Sequence, residues 1–225
     1  MPAQNSPENI PKNVLGSDAY VSPEGSSASS VQDENHELFD GLIGPERILT
    51  IIKSRLPLSF FGQAIFFCDA SNTKAVLTSL AKFCAQSGFT PALVLFGSNY
   101  KAVSKRMESD GFSGDFLVID CVSKGIARVK ETERVFFVDS LRDLTQLQIK
   151  ILNIIKGNPK VAFVFDSLLA LQLYHEEDVV LKFIYSLTKL LRSKGIAGYF
   201  IASSRKTVQK LPQFFDEAVE LKKFF

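Results

Sequence analysis

Residues 161–166 read Val-Ala-Phe-Val-Phe-Asp, five apolar residues without a polar break and then a carboxylate. A strand with one wet face alternates apolar and polar residues. An unbroken apolar run therefore belongs to a strand covered on both faces, the pattern of a parallel sheet between helix layers. Asp166 stands where that strand ends, and open α/β sheets gather their ligands at the carboxyl ends of strands. Two roles are open to it: contact with a ligand or metal ion, or capping of the following turn or helix with its side-chain oxygen.

Similar short runs recur at 63–68, 91–96, 115–121 and 196–202, with a short edge strand at 217–221 and a strand or extended lead-in at 134–138. Helical patterns lie between them. Pro45 opens the first in a position where its missing N–H costs nothing, and Ile48, Leu49, Ile51, Ile52 and Leu56 form its apolar stripe. Val76, Leu77, Leu80, Phe83 and Cys84 mark the second, which stops at Gly88; a more polar helix spans about 99–109. Ser140 and Asp143 are candidate caps for a helix running to Gly157. The acids Glu176, Glu177 and Asp178 suit the start of the most regular helix, which closes at Gly195. Strands alternating with helices in this way predict an α/β three-layer sandwich with a mostly parallel central sheet.

Charge is unevenly divided. Residues 1–37 hold six acids against the single base Lys12, about −5, and leave the remainder of the chain at about +7. That first stretch is rich in Ser, Pro, Asn, Gln and Gly, and its apolar residues follow no period, so it is expected to be a disordered acidic tail on a domain spanning 38–225. The body has no Lys/Arg run interleaved with aromatics, so nucleic-acid binding draws no support beyond its mild positive charge. Cys68, Cys84 and Cys121 are odd in number, far apart and set in apolar context, the usage of reduced core thiols in a cytoplasmic protein. Two histidines and no cysteine pair at ligand spacing give no zinc site. No apolar run approaches the ~20 residues of a membrane span, and no signal peptide is expected.

The run Asp166-Ser-Leu-Leu-Ala-Leu171, the helix from Glu177 to Lys194, the strand Gly195–Ile201 and the late Asp216–Leu221 together resemble the second half of RecA/KaiC-like ATPase domains, particularly archaeal ones. The resemblance spans about 40–222 and implies a RecA-like P-loop NTPase fold. It makes Asp166 the Walker B aspartate, which in the family holds magnesium through water. It also places the phosphate loop at Cys68-Asp-Ala-Ser-Asn-Thr73-Lys74-Ala75. Lys74 matches. Cys68 and Thr73 stand where the family has glycines, and Ala75 where it has a hydroxyl residue. A Cβ at the glycine positions obstructs the close approach of N–H groups to phosphate. Alanine supplies no oxygen to magnesium, and Asp69 adds a negative charge to a loop that should receive an anion. The family's water-positioning glutamate is also missing, since Val94-Leu-Phe96 is followed by Gly97-Ser-Asn99.

The resemblance and its departures imply a catalytically inactive or strongly impaired domain, a pseudo-ATPase with no catalytic residue and no required cofactor, acting as a protein-interaction or regulatory module. Family members assemble through domain edges into rings or filaments, so an active paralogue or another copy of the chain is the implied partner. Three alternatives stay open. Ser71, Asn72, Thr73 and Lys74 could still hold the phosphate of ATP, with Asp166 on magnesium, as a nucleotide sensor. The chain could be a DNA recombination or repair accessory. It could be a small-molecule enzyme using Asp69, Asp120 or Asp166 at strand ends. Arg205 and Lys206 follow the strand that in the family leads to basic residues reaching a neighbouring subunit's nucleotide; a solvated turn is the other reading.

Overall fold

The structure, a computed structural model, describes residues 44–126, 129–203 and 210–221. The acidic stretch 1–37 and the pair Arg205 and Lys206 lie outside them. Seven strands form one sheet: β1 (Gln63–Phe67), β2 (Thr90–Leu95), β3 (Leu117–Asp120), β4 (Val135–Phe137), β5 (Val161–Asp166), β6 (Gly198–Ala202) and β7 (Glu217–Glu220), in the order β4-β3-β2-β5-β6-β1-β7. Every pair is parallel. The six residues of β5 are all buried, as its unbroken apolar run requires.

The chain steps across the sheet in one direction from β1 to β4 and in the other from β4 to β7. Right-handed crossovers then place the early and late helices on opposite faces. Helices α1 (Pro45–Arg55), α2 (Thr73–Gln86) and α3 (Tyr100–Ser109) cover one face, where Ile52, Val76, Leu80, Phe83 and Met107 join a single core cluster. Helix α4 (Leu144–Gly157), the short α5 (Leu169–Gln172) and α6 (Glu177–Ser193) cover the other, with Ile151, Leu171, Ile184 and Leu187. Much of the chain's Phe is spent here. Phe165 stacks on Phe200 with ring centroids 4.2 Å apart, flanked by Phe163, Phe96 and Phe215.

Local signals match their elements. Pro45 sits in the first turn of α1, and Gly195 at φ 64° follows α6 in the left-handed conformation that glycine tolerates. Of the two candidate caps before α4, Asp143 takes the role, accepting from Gln146 N at 2.8 Å, while Ser140 accepts from Arg142 N in the preceding turn. Residues 135–137 resolve as an edge strand and β7 forms the opposite edge. Helix α5 has no signal in the sequence, because four residues are too few to show a period. The three cysteines are buried and none forms a disulfide among the described residues. Among the described residues no helix is long and apolar enough to cross a membrane.

Candidate functional site

At the carboxyl edge of the sheet, β1, β6, β5 and β2 lie side by side. Strand alternation turns Cys68 and Asp166 toward the α2 face, together with the residues two positions before them, Phe66 and Val164. Asp166 pairs in register with Leu95 of β2, so the turn Gly97-Ser98-Asn99 passes just beyond it.

Asp166 is 5% exposed. Burial pushes its carboxyl up from 3.8 to about 6, against the opposing pull of a hydrogen bond from Ser98 and the positive charge of Lys74. Its side chain does not cap α5, whose N-cap residue is Leu168, without a side-chain cap bond. The next residue, Ser167, has φ 49°, the one non-glycine positive φ among the described residues. Such a conformation costs about 1–3 kcal/mol and collects at functional sites.

The turn after β1 is compact. Cys68 continues the sheet by donating its N–H to Ala202 O at 3.1 Å, and Ala70–Asn72 then form one turn of 3-10 helix leading straight into α2. Asn72 N donates to Asp69 O at 2.9 Å and Thr73 N to Ala70 O. Asn72 and Thr73 both have right-handed helical angles, and no residue from 68 to 75 has positive φ. The turn therefore lacks the alternating right- and left-handed geometry by which successive N–H groups converge on an anion.

Of the loop residues singled out above, Ser71 and Lys74 are exposed, whereas Asn72 and Thr73 are buried. Thr73 Oγ1 lies 3.9 Å from Cys68 Sγ, inside the protein. Asn72 is 4% exposed, and its Oδ1 has no hydrogen-bond partner. Lys74 and Asp166 are brought close enough for their charges to interact. Among the described residues no three His, Cys, Asp or Glu side chains are grouped to hold a metal ion.

Two residues matter here that the sequence did not single out for these roles. Ser98 supplies the hydroxyl at Asp166; its only sequence signal is its place two residues past a buried strand. Asp120, at the end of β3, is fully buried and accepts from Tyr100 N, Val122 N and Ser123 N, each at 2.8 Å, and from Ser123 Oγ at 2.7 Å. It ties the start of α3 to the turn after β3, a structural task that leaves its oxygens occupied. Asp69 is exposed at the head of the 3-10 turn.

Beyond the loops, Ile126 and Leu173 are 81% and 79% exposed. With Tyr174 and Leu141 they line an open cavity of about 430 Å³ at the same edge of the sheet.

No protein-family model matches the chain, and no curated protein sequence matches it. Among solved structures it is similar to a KaiC-like protein from the hyperthermophilic archaeon Pyrococcus horikoshii OT3, at 16% identity and a TM-score of 0.45. That similarity covers 63% of this chain and 60% of the length of the archaeal protein.

Proposed function

We propose that this chain is a RecA/KaiC-like domain that does not hydrolyse ATP and works as a protein-interaction or regulatory module. One observation carries the reading: Asn72 and Thr73, where a phosphate loop would present its N–H groups to an anion, have those groups bonded inside a 3-10 turn. The residues present do not fit a triphosphate. The side chains of Asn72 and Thr73 are packed inward, Ala75 offers magnesium no oxygen, and Gly97-Ser98-Asn99 puts no acid beside Asp166. Exposed Ile126, Leu173 and Tyr174 support the interaction half, since apolar side chains grouped at one edge mark contact surfaces. The functional unit is 38–225, in the cytoplasm, with 1–37 as an acidic extension. Its partner is a second copy or an active paralogue. A sedimentation series on the chain alone separates these, with monomer at all concentrations pointing to the paralogue.

A second reading is favoured by the Lys74–Asp166 pair. A buried carboxylate kept beside a lysine and a strained serine is costly, and sites that carry such costs usually use them. Here Ser71, Asn72, Thr73 and Lys74 sense a nucleotide, with Asp166 on magnesium if the metal is retained. Calorimetric titration of the full chain with magnesium ATP and ADP, repeated on Lys74→Ala, decides between them. Absence of saturable binding at millimolar nucleotide is the expected result. Submillimolar binding lost in Lys74→Ala would overturn it in favour of the sensor. A role as a DNA accessory rests on the resemblance and the basic body, and fails if single-stranded DNA is not bound even at low salt.

A further inference from the structure

On the α2 face a cleft of about 560 Å³ opens between α2 and α3, beside the turn after β2. That volume lies within the range of small-molecule sites, about 300–1,000 Å³. Leu77, Val103 and Met107 give it an apolar wall, and Lys74, Lys105 and Arg106 bring three cations to its lining. No described residue lining it is acidic. The nearby acids are already engaged. Asp110 accepts from Thr78 Oγ1 and Arg106 Nε, each at 2.9 Å, and Asp166 faces Ser98 and Lys74. Lys105 makes no ion pair with any described residue.

We propose that this cleft binds a small organic anion, with an apolar body against Leu77, Val103 and Met107 and its charged group at Lys105. Arg106 is paired with Asp110 and Lys74 interacts with Asp166, which leaves Lys105 as the cleft's cation without an ion pair among the described residues, and a concave surface with low-dielectric walls concentrates its field on a ligand. The apolar wall excludes simple inorganic phosphate as the best fit, because it would leave most of the surface uncovered. Lys74 belongs both to this cleft and to the turn 68–75, so Lys105 and Ala102, which line the cleft and lie on α3, separate the proposal from nucleotide sensing.

The test is calorimetric titration of the full chain with phenyl phosphate, benzoate and inorganic phosphate. Saturable binding with one site per chain is expected for at least one of the two aromatic anions, and weaker binding for inorganic phosphate. Whichever aromatic anion binds more tightly identifies the charged group as phosphate or carboxylate. Lys105→Glu should weaken binding by about tenfold, the scale of reversing one part-exposed charge. Ala102→Phe, at an exposed helix position, should block the cleft without altering charge, and an unchanged urea midpoint verifies that it folds. The proposal is overturned if neither aromatic anion binds at millimolar concentration, or if binding survives both substitutions.

Discussion

Replacing Asp166 with asparagine should stabilise this protein at neutral pH. The carboxyl is 5% exposed, and its value is raised from 3.8 to about 6 chiefly by burial. At about 1.4 kcal/mol per pH unit, that rise corresponds to about 3 kcal/mol of folding free energy. The sign follows from proton binding. Below pH 3.8 both folded and unfolded chains carry the proton and the group adds no charge penalty. Between about pH 4 and 6 the folded chain retains a proton that the unfolded chain has lost, so stability falls as pH rises. Above about 6 both are ionised and the whole penalty is present. Asparagine cannot ionise, and its oxygen can still accept the hydrogen bond from Ser98. Wild type and Asp166→Asn should therefore unfold with the same free energy near pH 3.5. Asp166→Asn should then gain to about 3 kcal/mol by pH 7.5. Urea denaturation followed by far-UV circular dichroism from pH 3.5 to 8 measures the gap, provided the slopes against denaturant agree. A gap that stays constant with pH, or wild type the more stable at pH 8, would refute the argument. Millimolar magnesium adds a functional arm, because a cation at Asp166 would hold the carboxylate ionised and close the gap.

Asp120→Ala removes the acceptor for four donors and should cost about 3–5 kcal/mol in urea unfolding, less than the sum of four buried bonds because water reaches the part-exposed turn. Asp120→Asn should cost less, since one oxygen remains for Val122 N and Ser123 N. Gly198→Ala would place a Cβ 2.2 Å from Gln63 Oε1 and 2.9 Å from Leu191 Cδ1; with Gln63 buried and its Nε2 held by Ile196 O, overpacking of about 2–3 kcal/mol should appear as a lowered thermal midpoint. Burial drives the thiols of Cys84 and Cys121 well above their ordinary range, so neither should react with a thiol reagent at pH 8 until urea unfolds the chain.

Two strands end in aspartate, β3 at Asp120 and β5 at Asp166. In both β3 and β5 an apolar run stops at a carboxylate, and nothing local tells Asp120 from Asp166. Their fates depend on what other segments bring. The turn after β3 and the start of α3 surround Asp120 with three N–H groups and a hydroxyl. The turn after β2 brings Asp166 one serine. The sheet was legible because burial on both faces leaves its mark residue by residue along β1, β2, β5 and β6. Edge strand β4 was ambiguous for the same reason, as Val135 and Phe136 are only half-buried. The cleft between α2 and α3 had no local signature, because Lys105 looks like an ordinary solvated lysine until the helices pack.

The turn after β1 shows how far a motif comparison can go. Under the proposed resemblance to a phosphate loop, the substituted glycines imply a cradle obstructed by side chains, which restoring them would repair. The backbone of this turn has right-handed helical angles, with Asn72 at φ −94° and ψ −8°, Thr73 at φ −51° and ψ −43°, and two N–H groups used within the turn. Glycine permits a left-handed angle but does not impose one, and two backbone hydrogen bonds of about 1 kcal/mol each oppose opening the turn. The combined variant Cys68→Gly, Thr73→Gly, Ala75→Thr should therefore gain no nucleotide binding. It should lose about 3 kcal/mol of stability through the buried Cys68 side chain and the glycine at the start of α2. Calorimetry with magnesium ATP and urea unfolding on the same preparation test both parts. Submillimolar ATP binding by that variant would show that side chains alone had closed a cradle the backbone was ready to form.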